Sequence, residues 1–109
     1  MTRNGNGTTP PGADSGSPVY PIVSKIHLAP TIAQFTIQAP LIARKRQPGN
    51  FVIVRLSETG ERIPLTIVDG DERTGTITLI VQAVGKSTKL LVSKGAGDTI
   101  QDIVGPLGN

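Results

Sequence analysis

The sequence predicts an all-β fold, a six-stranded antiparallel Greek-key barrel with one short helix between the fifth and sixth strands. The chain contains 9 Val, 12 Ile and 12 Thr among 109 residues, and branching at the β carbon favours pleated strands. Several runs alternate apolar and polar residues, with glycine, proline or acidic turn signals between them. Closing the sheet would also remove the exposed edges that such strands otherwise present.

Six runs are predicted to be strands. They are Ile22–Ala29, Ile32–Ala39, Phe51–Leu56, Arg62–Val68, Thr74–Val84 and Asp98–Val104. The second and fifth alternate most clearly, which predicts one buried face for each. These faces carry Ala33, Phe35 and Ile37 in the second strand and Ile77, Leu79 and Val81 in the fifth. Glu58-Thr59-Gly60 and Asp69-Gly70-Asp71-Glu72 are predicted to be turns.

The predicted helix covers Ser87–Lys94. Leu90, Leu91 and Lys94 have helical spacing, serine is favoured at a helix start, and Gly95 is favoured as a helix end. No other segment is predicted to be helical.

The domain organisation follows from a change in composition near residue 21. Residues 1–21 are mostly Gly, Pro, Asn, Ser and Thr, which predicts a disordered tail. Residues 22–109 are predicted to form the barrel domain. The lack of cysteine excludes a disulfide scaffold, cysteine-ligated metal and a thiol nucleophile, and a single histidine excludes a multi-histidine metal site. No apolar run is long enough to span a membrane, and no secretory signal is visible, which predicts a cytoplasmic protein.

The charge balance gives a weak indication of polyanion binding. The net charge is +3, and Arg44, Lys45 and Arg46 form a basic triplet in the loop around Arg44–Gly49. Nucleic-acid binding usually requires a broader basic stripe together with aromatic residues for base stacking. This chain has one Tyr, two Phe and no Trp. The triplet is therefore interpreted as a solvated loop, and nucleic acid is not favoured as a partner.

Hydrolytic chemistry is excluded by the arrangement of its candidate residues. His27 lies within a predicted strand, and no Gly-x-Ser-x-Gly elbow is present. Asp98 and Asp102 are four residues apart, which is about 13 Å in an extended strand and too far for a paired-carboxylate site. We predict no catalytic side chain and no metal ligand.

A diphosphate site is possible at Gly85-Lys86-Ser87-Thr88. The phosphate-loop motif fails, because its first glycine would fall at Ile80. A glycine before a helix nevertheless allows close approach to unpaired amides, to which Ser87 and Thr88 add hydroxyls and Lys86 a positive charge. The alternative is an ordinary capped helix.

The second constellation is Arg62-Ile63-Pro64-Leu65-Thr66. Proline is unusual within a strand because it has no N–H for the hydrogen-bond ladder. Alternation puts Arg62, Pro64 and Thr66 on one face, which favours contact with a ligand, and a guanidinium binds phosphate well. The alternative is an edge strand with a surface arginine.

These segments, in this order, resemble the FAD-binding barrel of the ferredoxin–NADP reductase superfamily. The resemblance is closest to the electron transfer subunits of dihydroorotate dehydrogenase and the small (sulfide dehydrogenase) subunit of NADH-dependent ferredoxin:NADP oxidoreductase, and it covers about Ile22 to Asn109. The matching segments are Pro48-Gly49-Asn50-Phe51, Arg62-x-Pro64-Leu65-Thr66, Gly85-Lys86-Ser87-Thr88 and Gly105-Pro106-Leu107-Gly108. Asn50 stands where the family more often has Gln.

The resemblance implies a flavoprotein with defined cofactor contacts. Arg62 would bind the FAD phosphates, and Pro64, Leu65 and Thr66 would line the isoalloxazine. Gly85, Lys86, Ser87 and Thr88 would receive the pyrophosphate. The ribityl and adenosine side would be lined by Val81, Gln82, Ala83 and Val84.

The resemblance also implies partners that this chain does not contain. In the family an NAD(P) domain follows the barrel, and cysteines beyond it hold a [2Fe–2S] cluster. Here we expect NAD(P)H and the cluster to bind to a missing domain, a partner subunit or an iron–sulfur protein, so the fragment alone is expected to be inactive as an oxidoreductase. The alternatives are a small barrel that binds nucleic acid or protein, and a structural fragment without flavin.

Overall fold

A computed structural model describes residues 19–108 as seven strands and two short helices. In chain order the elements are β1 (Tyr20–Ala29), β2 (Ile32–Gln38), α1 (Pro40–Lys45), β3 (Phe51–Arg55), β4 (Ile63–Asp71), β5 (Thr76–Gln82), α2 (Lys86–Val92), β6 (Thr99–Ile100) and β7 (Asp102–Leu107). The strands form one antiparallel sheet in the order β6-β1-β2-β5-β4-β3-β7. Within it, β2-β5-β4-β3 is a Greek-key arrangement.

The sheet curls into a nearly closed barrel, with seven strands where six were predicted. The predicted strand Asp98–Val104 is divided at Gln101, so β6 pairs with β1 while β7 pairs with β3. Since β6 and β7 stand at opposite ends of the strand order, this corner brings the two edges of the sheet together. The division results from a change of pairing partner, which cannot be predicted from the alternation of neighbouring residues.

The second difference is α1, which occupies part of the segment predicted to be a loop. Pro40 was interpreted only as the end of a strand, yet it lies in the first turn of a helix, where its missing N–H costs no hydrogen bond. Ile42 and Ala43 are buried against the barrel. Arg44 and Lys45 lie in the last turn, where positive charge is favourable. Thus only part of the basic triplet is outside the helix.

The predicted helix between the fifth and sixth strands is confirmed, with shifted ends. It begins at Lys86 and ends at Val92, and Gly85 takes the capping position predicted for Ser87. Leu91 and Val92 are buried. The Lys25 ammonium donates to the Val92 carbonyl and lies 5.7 Å from the centre of the Phe35 ring. This contact from β1 neutralises the negative end of the helix.

The core follows the predicted alternation. Ala33, Phe35 and Ile37 in β2 are fully buried, as are their counterparts in β5, while the intervening side chains are more exposed. Phe35 and Leu79 are paired across the β2–β5 ladder. Burial of a side chain of this size stabilises a fold by about 1.5–3 kcal/mol, so these paired rows hold the centre of the barrel together.

The remaining differences concern element ends. β4 continues to Asp71, so the predicted acidic turn is partly strand and the chain turns at residues 72–75 instead. There the Asp71 carboxylate accepts from the Arg73 amide at 2.9 Å, and Gly75 has a φ of 71°. At the N-terminus β1 begins at Tyr20, so Tyr20 and Pro21 belong to the barrel, whereas the predicted tail up to Pro18 lies outside the described residues.

Candidate functional site

The two predicted constellations meet where β4 and β5 separate. The first half of β4 pairs with β3, as in the pairs Phe51–Thr66 and Ile53–Pro64. Pairing between β4 and β5 reaches only to Ile67–Leu79, and β5 ends three residues later. Pro64 therefore falls where β4 has a strand on one side only, and its missing N–H breaks no bond with β5.

The space beside this half of β4 is a pocket of about 170 Å³. Its walls come from the start of β4 on one side and the start of α2 on the other. The lining residues are Glu61, Arg62, Ile63, Pro64, Val84, Gly85, Ser87 and Thr88. Arg62 and the turn at residues 85–88 thus lie on the same side of the barrel. The volume is below the roughly 300–1,000 Å³ typical of small-molecule sites, so the pocket suits one anionic group of a larger ligand.

Unused backbone donors lie at the start of α2, which forms one wall of this pocket. The first hydrogen bond of the helix runs from the Lys89 amide to the Gly85 carbonyl, at 2.9 Å. The amides of Lys86, Ser87 and Thr88 precede it and have no partner within the helix. Gly85 has an ordinary extended φ of −146°, and a Cβ built on it would meet no atom within 4 Å. The glycine therefore leaves open space beside the start of α2.

The side-chain hydroxyls of Ser87 and Thr88 already form hydrogen bonds within the protein. Thr88 Oγ1 accepts from the amides of Val84 and Gly85, each at 2.9 Å, so it fixes the start of the helix. Ser87 Oγ donates to Glu61 Oε1 at 2.6 Å. Glu61 was missed by sequence reasoning, although it directly precedes Arg62, because no local pattern connects it with a serine 26 residues away.

Two cations, Arg62 in the lining of the pocket and Lys86 in the first turn of α2, have no ionic partner in the part of the chain that the structure describes. Its ion pairs are Arg46–Asp69, Arg55–Asp102 and Arg73–Asp71. Arg62 and Lys86 belong to none of these pairs, and both side chains are exposed. Arg62 lines the pocket and Lys86 begins α2, so both can meet an anion without breaking an existing ion pair.

The residues predicted to line a flat ring divide between the two faces of β4. Pro64 and Thr66 are exposed on the outer face, in register with Ile53 and Phe51. Leu65 packs against the core instead, so its side chain lies on the opposite face. Only Pro64 and Thr66 therefore offer side chains to a ligand outside the barrel.

The four residues predicted for the ribityl and adenosine side are similarly divided. Val81 is fully buried in the core, so its side chain is out of reach of an external ligand. Gln82 is exposed, and Ala83 is half-buried with its amide bonded to the Thr31 carbonyl at 2.8 Å. Val84 is 72% exposed and lines the pocket.

A larger cavity of about 290 Å³ lies elsewhere, between the start of β1 and α1. Its lining is almost entirely apolar and consists of Val19, Tyr20, Pro21, Gln38, Ala39, Pro40, Leu41 and Ile42. Burial, and secondarily the Asp102 carboxylate, raise the pKa of Tyr20 above its ordinary value of 10.0. With no cationic side chain in its lining, this cavity lacks the chemistry of a phosphate site.

Residues 19–108 contain neither a cluster of metal ligands nor a helix that could cross a membrane. No group of three or more His, Cys, Asp or Glu residues is arranged there to hold a metal ion. Neither helix within that range is long and apolar enough to cross a membrane.

Comparison with known proteins identifies relatives that are longer than this chain. It is 49% identical over 90 residues to an uncharacterized protein of Clostridium beijerinckii, covering 83% of this chain and 30% of the relative. It is 45% identical over 94 residues to a Thermotoga maritima homologue of the dihydroorotate dehydrogenase B electron transfer subunit, covering 86% of this chain and 33% of that relative. The chain thus spans about a third of these relatives. No family model matches the sequence.

Solved structures share the barrel. A structure of NADH-dependent reduced ferredoxin-NADP oxidoreductase, described in connection with flavin-based electron bifurcation, aligns with a TM-score of 0.81 and 45% identity, covering 86% of this chain and 34% of that one. A ferredoxin NADP+ reductase from Neisseria gonorrhoeae aligns with a TM-score of 0.60 and 19% identity, covering 81% of this chain and 38% of that one. At 19% identity, the second similarity shows a shared fold only.

The fold is therefore the FAD-binding type of barrel found in ferredoxin–NADP reductases, which confirms the predicted resemblance. Over this barrel, the chain is similar to the electron transfer subunits of dihydroorotate dehydrogenase B and to NADH-dependent reduced ferredoxin-NADP oxidoreductase.

Proposed function

We propose that this chain binds FAD and acts as the flavin-carrying domain of an oxidoreductase. The observation that supports this most directly is the pocket between Arg62 and the start of α2. Arg62 lines it and Lys86 begins the adjoining helix, both without ionic partners in residues 19–108, and three amides without a partner within the helix and the open space beside Gly85 complete the site. These features fit the diphosphate of a dinucleotide, which requires dense positive potential and close backbone approach.

Each residue has a defined part in this proposal. Arg62 donates charge-assisted hydrogen bonds to one phosphate, and the amides of Lys86, Ser87 and Thr88 bind the other. Pro64 and Thr66 support the flat ring on the outer face of β4, and Thr66 offers a hydroxyl to a ring heteroatom. Bound flavin supplies the chemistry, since it accepts electrons in pairs and releases them singly. The chain's own task is to hold and orient the cofactor.

The electron donor and acceptor bind outside this barrel in the proposed scheme. The chain spans about a third of its curated relatives and contains no cysteine for a cluster. We therefore infer that NAD(P)H binds to a further domain or subunit and that electrons leave to an iron–sulfur partner. Alone, the chain is expected to bind flavin without turning over NAD(P)H.

Calorimetric titration with FAD, alongside reconstitution and the visible absorbance of the purified protein, tests the proposal. Arg62→Ala should raise the Kd for FAD by roughly tenfold or more, because a hydrogen bond to a charged group contributes about 1.5–3 kcal/mol. Arg73→Ala is the matched control, since Arg73 is highly exposed and lies outside the lining of the pocket. Equal affinity of the parent and Arg62→Ala proteins would contradict the assignment, and a parent that binds no FAD would favour the flavin-free fragment.

The nucleic-acid alternative has less support than the sequence suggested. Arg46 lies within 3.6 Å of the Asp69 carboxylate, which leaves Arg44 and Lys45 as the unpaired members of the triplet in the described part of the chain. Oligonucleotide affinity that falls steeply with added salt would revive this alternative.

A further inference from the structure

Glu61 is an acidic residue within a pocket otherwise suited to an anion. It lies between β3 and β4 and lines the pocket beside Arg62. Its Oε1 atom accepts a hydrogen bond of 2.6 Å from Ser87 Oγ in the first turn of α2. This contact runs from one wall of the pocket to the other.

The contact uses a donor that the diphosphate would otherwise receive. A phosphate oxygen and the Glu61 carboxylate are both acceptors, so they compete for the Ser87 hydroxyl. They also carry the same sign of charge. Two like charges about 6 Å apart in water change an affinity roughly threefold, and the effect grows where water is partly excluded.

We propose that Glu61 is an internal competitor that sets the affinity of this site for its anionic ligand. In the free protein the carboxylate binds the Ser87 hydroxyl, and it turns away when a diphosphate enters. The inference rests on the proposed FAD site and deepens it, because it assigns to one carboxylate the control of how readily that site fills.

Because the Glu61 side chain is exposed, its effect on ligand affinity can be distinguished from an effect on folding stability. The side chain is exposed and forms no ion pair with any residue in the range 19–108. A surface hydrogen bond of this kind adds little to folding stability. Removing the charge should therefore change ligand affinity while leaving the melting temperature nearly unchanged.

The test compares Glu61→Gln with Glu58→Gln in calorimetric titrations with FAD. Glu58 lies in the same connection between β3 and β4, and its replacement by glutamine removes the same charge, yet Glu58 does not line the pocket. Glu61→Gln is expected to lower the Kd for FAD about three- to tenfold, with Glu58→Gln close to the parent. The gain should shrink at high salt, because screening removes the repulsion. It should also shrink in a Ser87→Ala background, where no hydroxyl remains to compete for.

Two results would overturn the proposal. A parent that binds FAD with the same affinity as Glu61→Gln, or more tightly, refutes the role of Glu61 and leaves the FAD site standing. If neither protein binds FAD although both melt cooperatively, the FAD site itself is refuted and the role of Glu61 with it. Glu61→Ala provides a second variant in which the competing acceptor is absent altogether.

Discussion

Replacing Gly85 with alanine should separate cofactor binding from folding. Gly85 precedes α2 in an extended conformation, with φ of −146° and ψ of −177°, which any residue adopts. A Cβ at this position meets no atom of the protein within 4 Å. The new methyl group would therefore occupy open space beside the start of α2 without disturbing the fold.

The expected change in the free energy of unfolding is close to zero. Alanine is less favourable than glycine at the residue before a helix, by about 0.5–1 kcal/mol. It also restricts the unfolded chain, which stabilises the protein by about 0.4–1 kcal/mol. These terms offset each other to within about 0.5 kcal/mol. A diphosphate held away from the amides would lose charge-assisted hydrogen bonds of about 1.5–3 kcal/mol each, so the Kd should rise at least tenfold.

Gly75→Ala is the contrasting control, because that glycine is required by the fold. Its φ is 71°, and a Cβ there would lie 2.9 Å from the Gln38 amide nitrogen and 3.2 Å from the Pro40 ring. Gln38 would also lose its hydrogen bonds to the Thr74 and Gly75 carbonyls, of 2.8 and 3.1 Å. Left-handed strain and these losses together cost about 2–4 kcal/mol.

Urea unfolding of the cofactor-free proteins and calorimetric titration with FAD measure the two effects. Gly85→Ala should unfold at the same urea concentration as the parent and bind FAD weakly, whereas Gly75→Ala should unfold at a lower urea concentration. An unchanged FAD affinity in Gly85→Ala would refute the assignment of the diphosphate to the start of α2. A loss of more than about 1.5 kcal/mol of stability in Gly85→Ala would refute the conformational reasoning.

Three further predictions concern the barrel. Tyr20 is the single tyrosine, and burial and secondarily Asp102 raise its pKa, so an ultraviolet titration should give a midpoint above 10.0 that falls in Asp102→Asn. The raised pKa contributes stability that is present below pH 10.0 and is lost as the pH rises through the pKa of the folded state, so Tyr20→Phe should remove this loss. Lys25→Met should destabilise the protein by about 1–2 kcal/mol in urea, because the Val92 carbonyl and the Phe35 ring lose their cation, and an unchanged midpoint would contradict this. Phe35→Ala should cost about 3–5 kcal/mol, and a loss below 1.5 kcal/mol would show a poorly packed core.

The sequence predicted best those features that depend on neighbouring residues. The alternation in β2 and β5 identified their buried faces because side chains in a strand point alternately to opposite sides. The same alternation put Val81 on the buried face, while the family resemblance gave it a cofactor contact. The structure has its side chain in the core, as the alternation predicted, and the cofactor contact stays a prediction.

Features that depend on the choice of a distant partner were missed. Nothing local to Gln101 reveals that the preceding residues pair with β1 and the following ones with β3. Pro40 is compatible both with the end of a strand and with the first turn of a helix, and only the burial of Ile42 against the barrel decides between them. Contacts between side chains far apart in sequence, such as Glu61 with Ser87, have no local signature.

The meeting of the two motifs nevertheless follows from simple geometry once one pairing is known. Ile67 of β4 is paired with Leu79 of β5, and the strands are antiparallel. Going back along β4 from Ile67 therefore leads towards the same end of the barrel as going forward along β5 from Leu79. Arg62, five residues before Ile67, and Val84, five residues after Leu79, accordingly both line the pocket that opens where the strands separate. The register that buries Ile67 and Leu79 in the core also brings the arginine to the turn at residues 85–88. Shifting one of these strands by one residue would turn its core side chain to the outside, so selection for a buried core also preserves the pocket.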